Sequence, residues 1–311
     1  MDARSMARII MRQSQRIALL PDKAVKSLIY KVSSEDNTGY KYKLSIVVII
    51  KNEALYIREW IDYHILVGVE HFYIYDNEST DNTKDLLSEY IKRGLVTYQY
   101  YPGRAKQLAS YNDAIRKHKH ETKYMAFIDA DEFIMPVNKE DSIFNIIDDV
   151  ITRNKASGIA INWRMFGSSG KDGIPKNGGV LNNFVYRAAP HKPGQSCIKT
   201  VANPRAIFHY NHDHFPEYLF GGYSVDETGK RVSSWNNDID EPNRIKINHY
   251  FTKSKEEWIK RRKLGRADSR TLANSRGIDE FYSHDNNDIY DNQGEYYYLQ
   301  LNHDYYADAN D

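Results

Sequence analysis

Six aliphatic side chains in seven consecutive positions, Leu44-Ser45-Ile46-Val47-Val48-Ile49-Ile50, leave this chain few folds to choose from. Five of the six are β-branched, which favours a strand over a helix. There is no polar alternation, so both faces of the strand are expected to be buried, as in parallel sheets wrapped by helices. The following residues supply the helices. Leu55, Ile57, Trp60, Ile61, His64 and Ile65 share one helical face, closed by Gly68. Val69 to Tyr75 reads as a second strand, and a polar turn, Asp76 to Thr83, leads into a helix capped near Gly94. Val96 to Tyr100 reads as a third strand, and Pro102-Gly103 turns the chain into a helix from Lys106 to His118. The predicted fold class is α/β, with a mostly parallel central sheet flanked by helices. Its ligands should collect at the carboxyl ends of the strands.

The next strand carries the chemistry. Its apolar run, Met125 to Ile128, drives into Asp129-Ala130-Asp131-Glu132, and apolar residues resume with Phe133 to Met135 before Pro136. Carboxylates at the end of a buried strand repel one another and lose hydration unless a positive charge sits among them. A divalent cation, Mn²⁺ or Mg²⁺, is the natural partner for oxygen ligands. Lys51-Asn52-Glu53 and Asp76-Asn77 also stand just past strand ends, so all three clusters should converge in one crevice. Downstream, His249 is followed four positions later by Lys253. Neutral imidazole is a good ligand for such a metal, and an ammonium meets phosphate as a point charge.

Net charge narrows the partners. At +1 over 311 residues there is no global field for nucleic acid, and none is expected as a partner. The 25 tyrosines offer flat faces with a hydroxyl handle, which suit sugar rings. The single cysteine, Cys197, excludes an internal disulfide and points to a reducing, cytoplasmic setting. No run is long and apolar enough to span a bilayer. Residues 1–43 read as a basic helical segment and linker, in which Arg4, Arg8, Arg12 and Arg16 recur on one stripe. Residues 1–31 would either lie on an anionic membrane surface or pack on the back of the domain. Residues 44–270 read as the catalytic domain, and 271–311 as an acidic, Tyr-rich helical or irregular tail.

Several motifs occur in a telling order: the first strand with Lys51-Asn52-Glu53, Glu59-Trp60, Tyr63-His64, Tyr75-Asp76-Asn77, Asp129-Ala130-Asp131, Trp163 through Gly170, His214-Phe215-Pro216, and Asn248 through Lys255. Together they resemble nucleotide-sugar glycosyltransferases of the GT-A type, and more narrowly glycosyltransferase family 92 and the related branch of family 2. The resemblance implies a metal-dependent hexosyltransferase. It would move a sugar, galactose by the family's example and with inversion, from a UDP-sugar to a hydroxyl of a glycan or lipid-linked glycan. It makes Asp131 the main metal ligand, with His249 beside it and Asp129 at the ribose or on the metal. Lys51, Glu53 and Asp76 would lie around the uridine, with Asp76 on the uracil, and Gln107 and Asn112 would reach nucleotide or sugar. Lys253 would stabilise the leaving diphosphate. Asp213 is the preferred base, ahead of Glu217 and Asp172, and Trp163 and Phe166 would stack on the acceptor. Lys171 departs from the family's usual His after Gly167-Ser168-Ser169-Gly170. Two rivals are weaker. A nucleotidyltransferase would want a Gly-rich basic loop in place of Lys51-Asn52-Glu53, and a non-catalytic glycan binder would not need Asp129, Asp131 and His249 together.

Overall fold

The computed structural model describes residues 18–33, 39–177, 179–264 and 277–307. The buried run expected at the start of the domain is β1 (Tyr42–Ile50), whose last seven residues are all buried. Helix α1 (Leu20–Ser33) precedes it. The chain then alternates through α2 (Ile57–Leu66), β2 (His71–Asp76), α3 (Thr83–Lys92), β3 (Val96–Tyr100), α4 (Gln107–His118) and β4 (Thr122–Phe127). The strand β5 (Glu132–Pro136), helix α5 (Ile143–Arg153) and strand β6 (Gly158–Met165) follow. Next come α6 (Val180–Asn183), β7 (Tyr186–Arg187), β8 (Ile198–Ala202), the hairpin β9 (Ile207–Tyr210) and β10 (Pro216–Tyr218), β11 (Ser224–Val225) and β12 (Arg231–Val232). The last elements are β13 (Ile245–His249), α7 (Lys255–Leu264), α8 (Ile278–His284), β14 (Ile289–Tyr290) and α9 (Gln293–Ala307).

The main sheet runs β12-β11-β6-β8-β4-β1-β2-β3. Its first-formed part, β4-β1-β2-β3, is wholly parallel, as the apolar runs predict. The second half mixes directions, because β8 enters antiparallel between β4 and β6. That reversal puts the start of β8 beside the carboxyl end of β4, where the carboxylates are. Strand β13 completes the arrangement by pairing antiparallel with β5 and parallel with β6.

Helix α2 fixes the chain just past the acidic turn. Trp60 Nε1 donates to the Glu132 carbonyl at 2.8 Å, and the Tyr63 hydroxyl donates to the Ile134 carbonyl at 2.9 Å. His64 bonds through Nδ1 to the Trp60 carbonyl and accepts the Ile134 N–H on Nε2 at 3.3 Å. Burial lowers the His64 pKa to about 3, and the Trp60 carbonyl offsets this only in part. The stability held by this neutral ring is therefore present above the unfolded-state value near 6.5 and is lost as pH falls from there toward 3. The expected deficit at pH 4 is on the order of 3 kcal/mol. Urea midpoints measured between pH 7 and 4 should show it, and His64→Gln should flatten the profile.

The short helix α6 starts against the Glu59 carboxylate, which accepts the Val180 and Leu181 N–H groups at 2.6 and 3.1 Å. Gly167-Ser168-Ser169-Gly170 makes a close approach to the chain's own tail. A Cβ on Gly167 would stand 2.6 Å from the Asn286 carbonyl, and Ser168 N and Ser169 N donate to Asp285 and Asn287. The acidic, Tyr-rich tail is built into the core: β14 pairs with β7, and the buried Tyr297 of α9 meets Tyr63 edge-on at 5.2 Å.

The arginine stripe at positions 4, 8, 12 and 16 lies outside the described residues. The described helix α1 packs on the β9–β10 side. Lys23 Nζ pairs with Glu217 at 2.8 Å, and Ser27 Oγ accepts the Phe220 N–H. Glu217, one of the base candidates, is therefore committed to the back of the domain. Among the described residues no helix is long and apolar enough to cross a membrane.

Candidate active site

A cleft of about 1000 Å³ opens over the carboxyl ends of β1, β2 and β4. On one side stand Lys51, Glu53, Asn77, Glu78 and Gln107, and on the other Trp163, Asp213, His214 and Trp235. Asp129, Asp131, His249, Lys253 and Arg261 also line it. The structure thus brings together eight of the ten predicted site residues and leaves out Asp76 and Asn112.

The first wall is a welded pair of loops. Asn52 takes a left-handed backbone, φ 57°, and its Oδ1 accepts the Thr80 N–H at 2.7 Å. Asp81 Oδ2 accepts the Ala54 N–H, and Thr83 Oγ1 accepts that of Glu53. Asp76 serves this weld instead of facing the cleft. One carboxylate oxygen accepts the Ser79 N–H at 2.8 Å and the other the Tyr98 hydroxyl at 2.7 Å. Its neighbours Asn77 and Glu78 form the cleft surface in its place. Asn112 is likewise spent on structure. Its amide accepts the Tyr210 N–H at 2.8 Å and donates to the Tyr210 carbonyl at 2.9 Å, tying α4 to β9.

At the end of β4 the two aspartates have different partners. Asp129 accepts from Gln107 Nε2 at 2.8 Å on one oxygen and from Lys199 Nζ at 2.9 Å on the other. Glu132 is fully buried, with Lys199 at a longer 3.8 Å, and its Oε2 accepts the Asp129 N–H. Burial pushes the Glu132 carboxyl well above the usual range, and Lys199 offsets this only in part. Burial alone would lower the Lys199 pKa, but Asp129 and Glu132 hold its ammonium charged well past the usual lysine value.

Asp131 meets Arg261 at 2.8 Å on one oxygen and His249 Nε2 at 3.5 Å on the other. Burial would raise the Asp131 pKa, but Arg261, His249 and Lys253 together keep it well below the ordinary value. Strand pairing explains how residues so distant in sequence meet. The β13–β5 register sets His249 opposite Glu132, and Tyr250 N donates to the Asp131 carbonyl at 2.9 Å. Just beyond, Lys253 takes φ 48° and lays its ammonium over the Tyr56 ring, 4.7 Å from the centroid. Glu53 completes the cluster. Burial raises its pKa, and Lys253 and Arg261 pull it partly back.

Among the described residues no group of three His, Cys, Asp or Glu side chains is arranged to hold a metal ion. Asp129 instead bonds Gln107 on one oxygen and Lys199 on the other, and it is not grouped with Asp131 and His249 here. Asp131 and His249 remain as a facing pair, and His249 Nδ1 has no hydrogen-bond partner among the described residues. One carboxylate and one imidazole fit a Mn²⁺ or Mg²⁺ ion that completes its shell with diphosphate and water oxygens.

Residues 45–275 match glycosyltransferase family 92. The chain belongs to that family. A family 92 protein of Oryza sativa subsp. japonica is 28% identical over 179 residues, 57% of this chain and 30% of the rice protein. The beta-1,4-galactosyltransferase galt-1 of Caenorhabditis elegans is 30% identical over 132 residues, 38% of this chain and 30% of the nematode protein. The chain therefore spans about a third of the length of these two relatives. Among solved structures, Staphylococcus aureus TarS 1–349 in complex with UDP gives a TM-score of 0.35 at 16% identity over 59% of this chain and 60% of that one, a likeness too loose to bear on mechanism.

Two residues of the cleft, Arg261 and Trp235, and the buried Lys199 behind Asp129 gave weak signals in sequence. Lys199 stands alone in an apolar strand, Arg261 is one of several basic residues on α7, and Trp235 sits in an irregular segment. Arg261 occupies the cation-facing side of Asp131, so it competes with any metal there. Arg261→Gln is expected to strengthen Mn²⁺ binding to the nucleotide-free protein several-fold and to weaken UDP binding. Mn²⁺ titration followed by electron paramagnetic resonance, with calorimetry for UDP, checks both signs. Weaker Mn²⁺ binding in the variant would show that Arg261 supports the metal site instead.

Proposed function

We propose that this cleft transfers a hexose from a UDP-sugar to a hydroxyl of a glycan or lipid-linked glycan. The observation that carries the reading is the meeting of Asp131 and His249 with Lys253 and Arg261 at the end of β4. Two anionic-to-neutral donors beside two cations suit a metal-bound diphosphate that gains charge as its bond to the sugar breaks. A bound Mn²⁺ or Mg²⁺, held by Asp131 and His249, would neutralise the diphosphate as a Lewis acid. Lys253 and Arg261 would meet the phosphate oxygens. Lys51, Glu53 and Asn77 would surround the nucleoside on the β1–β2 side, and Gln107 and Lys199 would hold Asp129 toward the ribose. The name of the nematode relative supports galactose as the sugar. A β-linkage made from an α-linked nucleotide sugar requires inversion, so the acceptor hydroxyl would attack opposite the diphosphate.

Asp213 is the favoured base for that hydroxyl. Burial pushes its pKa up, but His214, Lys199 and His212 outweigh burial and hold the carboxylate below its ordinary value, ready to accept a proton. Attachment to an anionic membrane through the N-terminal segment belongs to the same reading and would place the enzyme at the cytoplasmic face. Leu20, Val25, Leu28 and Ile29 of α1, all exposed, support it, and sedimentation with anionic liposomes tests it. For the activity itself, the test is calorimetry of UDP and GDP with and without Mn²⁺, followed by UDP release from UDP-galactose. Tighter UDP binding with Mn²⁺ and metal-dependent release are expected. A protein that binds glycans but releases no UDP is the non-catalytic rival.

A further inference from the structure

Trp235 is the exposed member of the chain's four tryptophans. It is 46% exposed, whereas Trp60, Trp163 and Trp258 are at 0%, 8% and 0%. Large indoles are rarely left so open unless the face is used. This one lines the cleft on the side opposite the β1–β2 loops, next to Asp213 and His214. Its backbone is fixed: the Trp235 carbonyl accepts the Ile198 N–H at 3.1 Å, and Asn237 N donates to the Ser196 carbonyl at 2.8 Å. The Asp213 segment is tied to the same strand. His214 Nδ1 bonds to the Ile198 carbonyl at 2.8 Å, and Thr200 Oγ1 donates to the His214 carbonyl at 2.9 Å. The His212 ring runs parallel to the Trp235 indole within 9°, with centroids 6.5 Å apart. Its Nδ1 stands 3.1 Å from Asp213. A flat apolar face, a polar-tipped parallel ring and a carboxylate are thus all referenced to the start of β8.

We propose that Trp235 is the platform for the acceptor sugar, taking the apolar face of a pyranose ring and turning its hydroxyl edge toward Asp213. The C–H groups on one face of a pyranose bury against an indole while its hydroxyls stay at the rim for hydrogen bonds. The residues first expected to stack do not offer such a face. Phe166 is buried against Tyr250, and Trp163 is closed over by His214 and His249. This inference rests on the transferase reading and deepens it by assigning the acceptor side.

Iodide quenches solvent-exposed indoles, so in this chain it reads Trp235, and Trp235→Phe identifies that share of the emission. The probes are methyl β-D-galactopyranoside, methyl β-D-glucopyranoside and methyl N-acetyl-β-D-glucosaminide, each titrated with UDP and Mn²⁺ present. At least one should shield Trp235 from iodide. Trp235→Ala should weaken that glycoside at least about fivefold, while UDP affinity is unchanged. If UDP binds wild type but none of the three shields the indole, the platform is overturned and the transferase reading stands. Equal glycoside affinity in Trp235→Ala also overturns it. If wild type binds no UDP, the transferase reading falls and this inference falls with it.

Discussion

Replacing Asp131 by asparagine is expected to abolish UDP release from donor, by on the order of a thousandfold or more, in a protein that still folds. The change keeps the shape but removes the charge that faces both Arg261 and His249. It therefore removes the carboxylate proposed to hold the metal and leaves the Arg261 guanidinium without its partner. Arg261 keeps a partly exposed side chain at the cleft, so the charge can turn to water and the stability loss stays below the roughly 3–5 kcal/mol of a sealed broken pair. Donor hydrolysis across a Mn²⁺ titration, with circular dichroism to confirm folding, measures the effect. Turnover within tenfold of wild type would place the reacting diphosphate away from Asp131.

The second large effect is expected at Lys199, this time in stability. Its side chain is only 1% exposed and is the cation beside both Asp129 and Glu132. Lys199→Met should cost about 3–5 kcal/mol, because it leaves acidic groups in a buried site with no counter-charge. Adding Asp129→Asn should restore part of that loss, and the coupling in a double-mutant cycle isolates the pair. Urea midpoints of the three variants provide the numbers. If Lys199→Met unfolds at the wild-type midpoint, the ammonium is not what balances these carboxylates.

The parallel half of the sheet was legible because burial on both faces writes itself as an unbroken apolar run, as in β1. The acidic turn was legible because three carboxylates after such a run have no apolar explanation. His249 and Lys253 were singled out from residue chemistry, and β13 with the turn after it brings both to the cleft that Asp131 lines. Asp76 and Asn112 misled for one reason. Sequence gives the type of a polar residue but not which of its hydrogen bonds the backbone has already taken. Asp76 is used by Ser79 and Tyr98, and Asn112 by Tyr210. The pairing of Asp129 with Lys199 was not legible, because Lys199 lies in an antiparallel strand whose placement no local pattern specifies. Trp235 was missed because an irregular segment has no periodicity from which exposure can be read.

The position of β13 between β5 and β6 has a consequence for how the molecule is made. His249 reaches Asp131 only when the strand Ile245–His249 inserts between two partners that are already in place, one upstream and one downstream of α5. A nascent chain that has not yet delivered β13 carries most of the sheet but only half of the Asp131–His249 pair. It also presents two unpaired strand edges, β5 and β6, at once. Long-range insertions of this kind are slow, and open edges invite pairing with other chains. The candidate site is therefore among the last parts of the fold to form, and a chain cut short before Ile245 would be prone to aggregate before that site was complete.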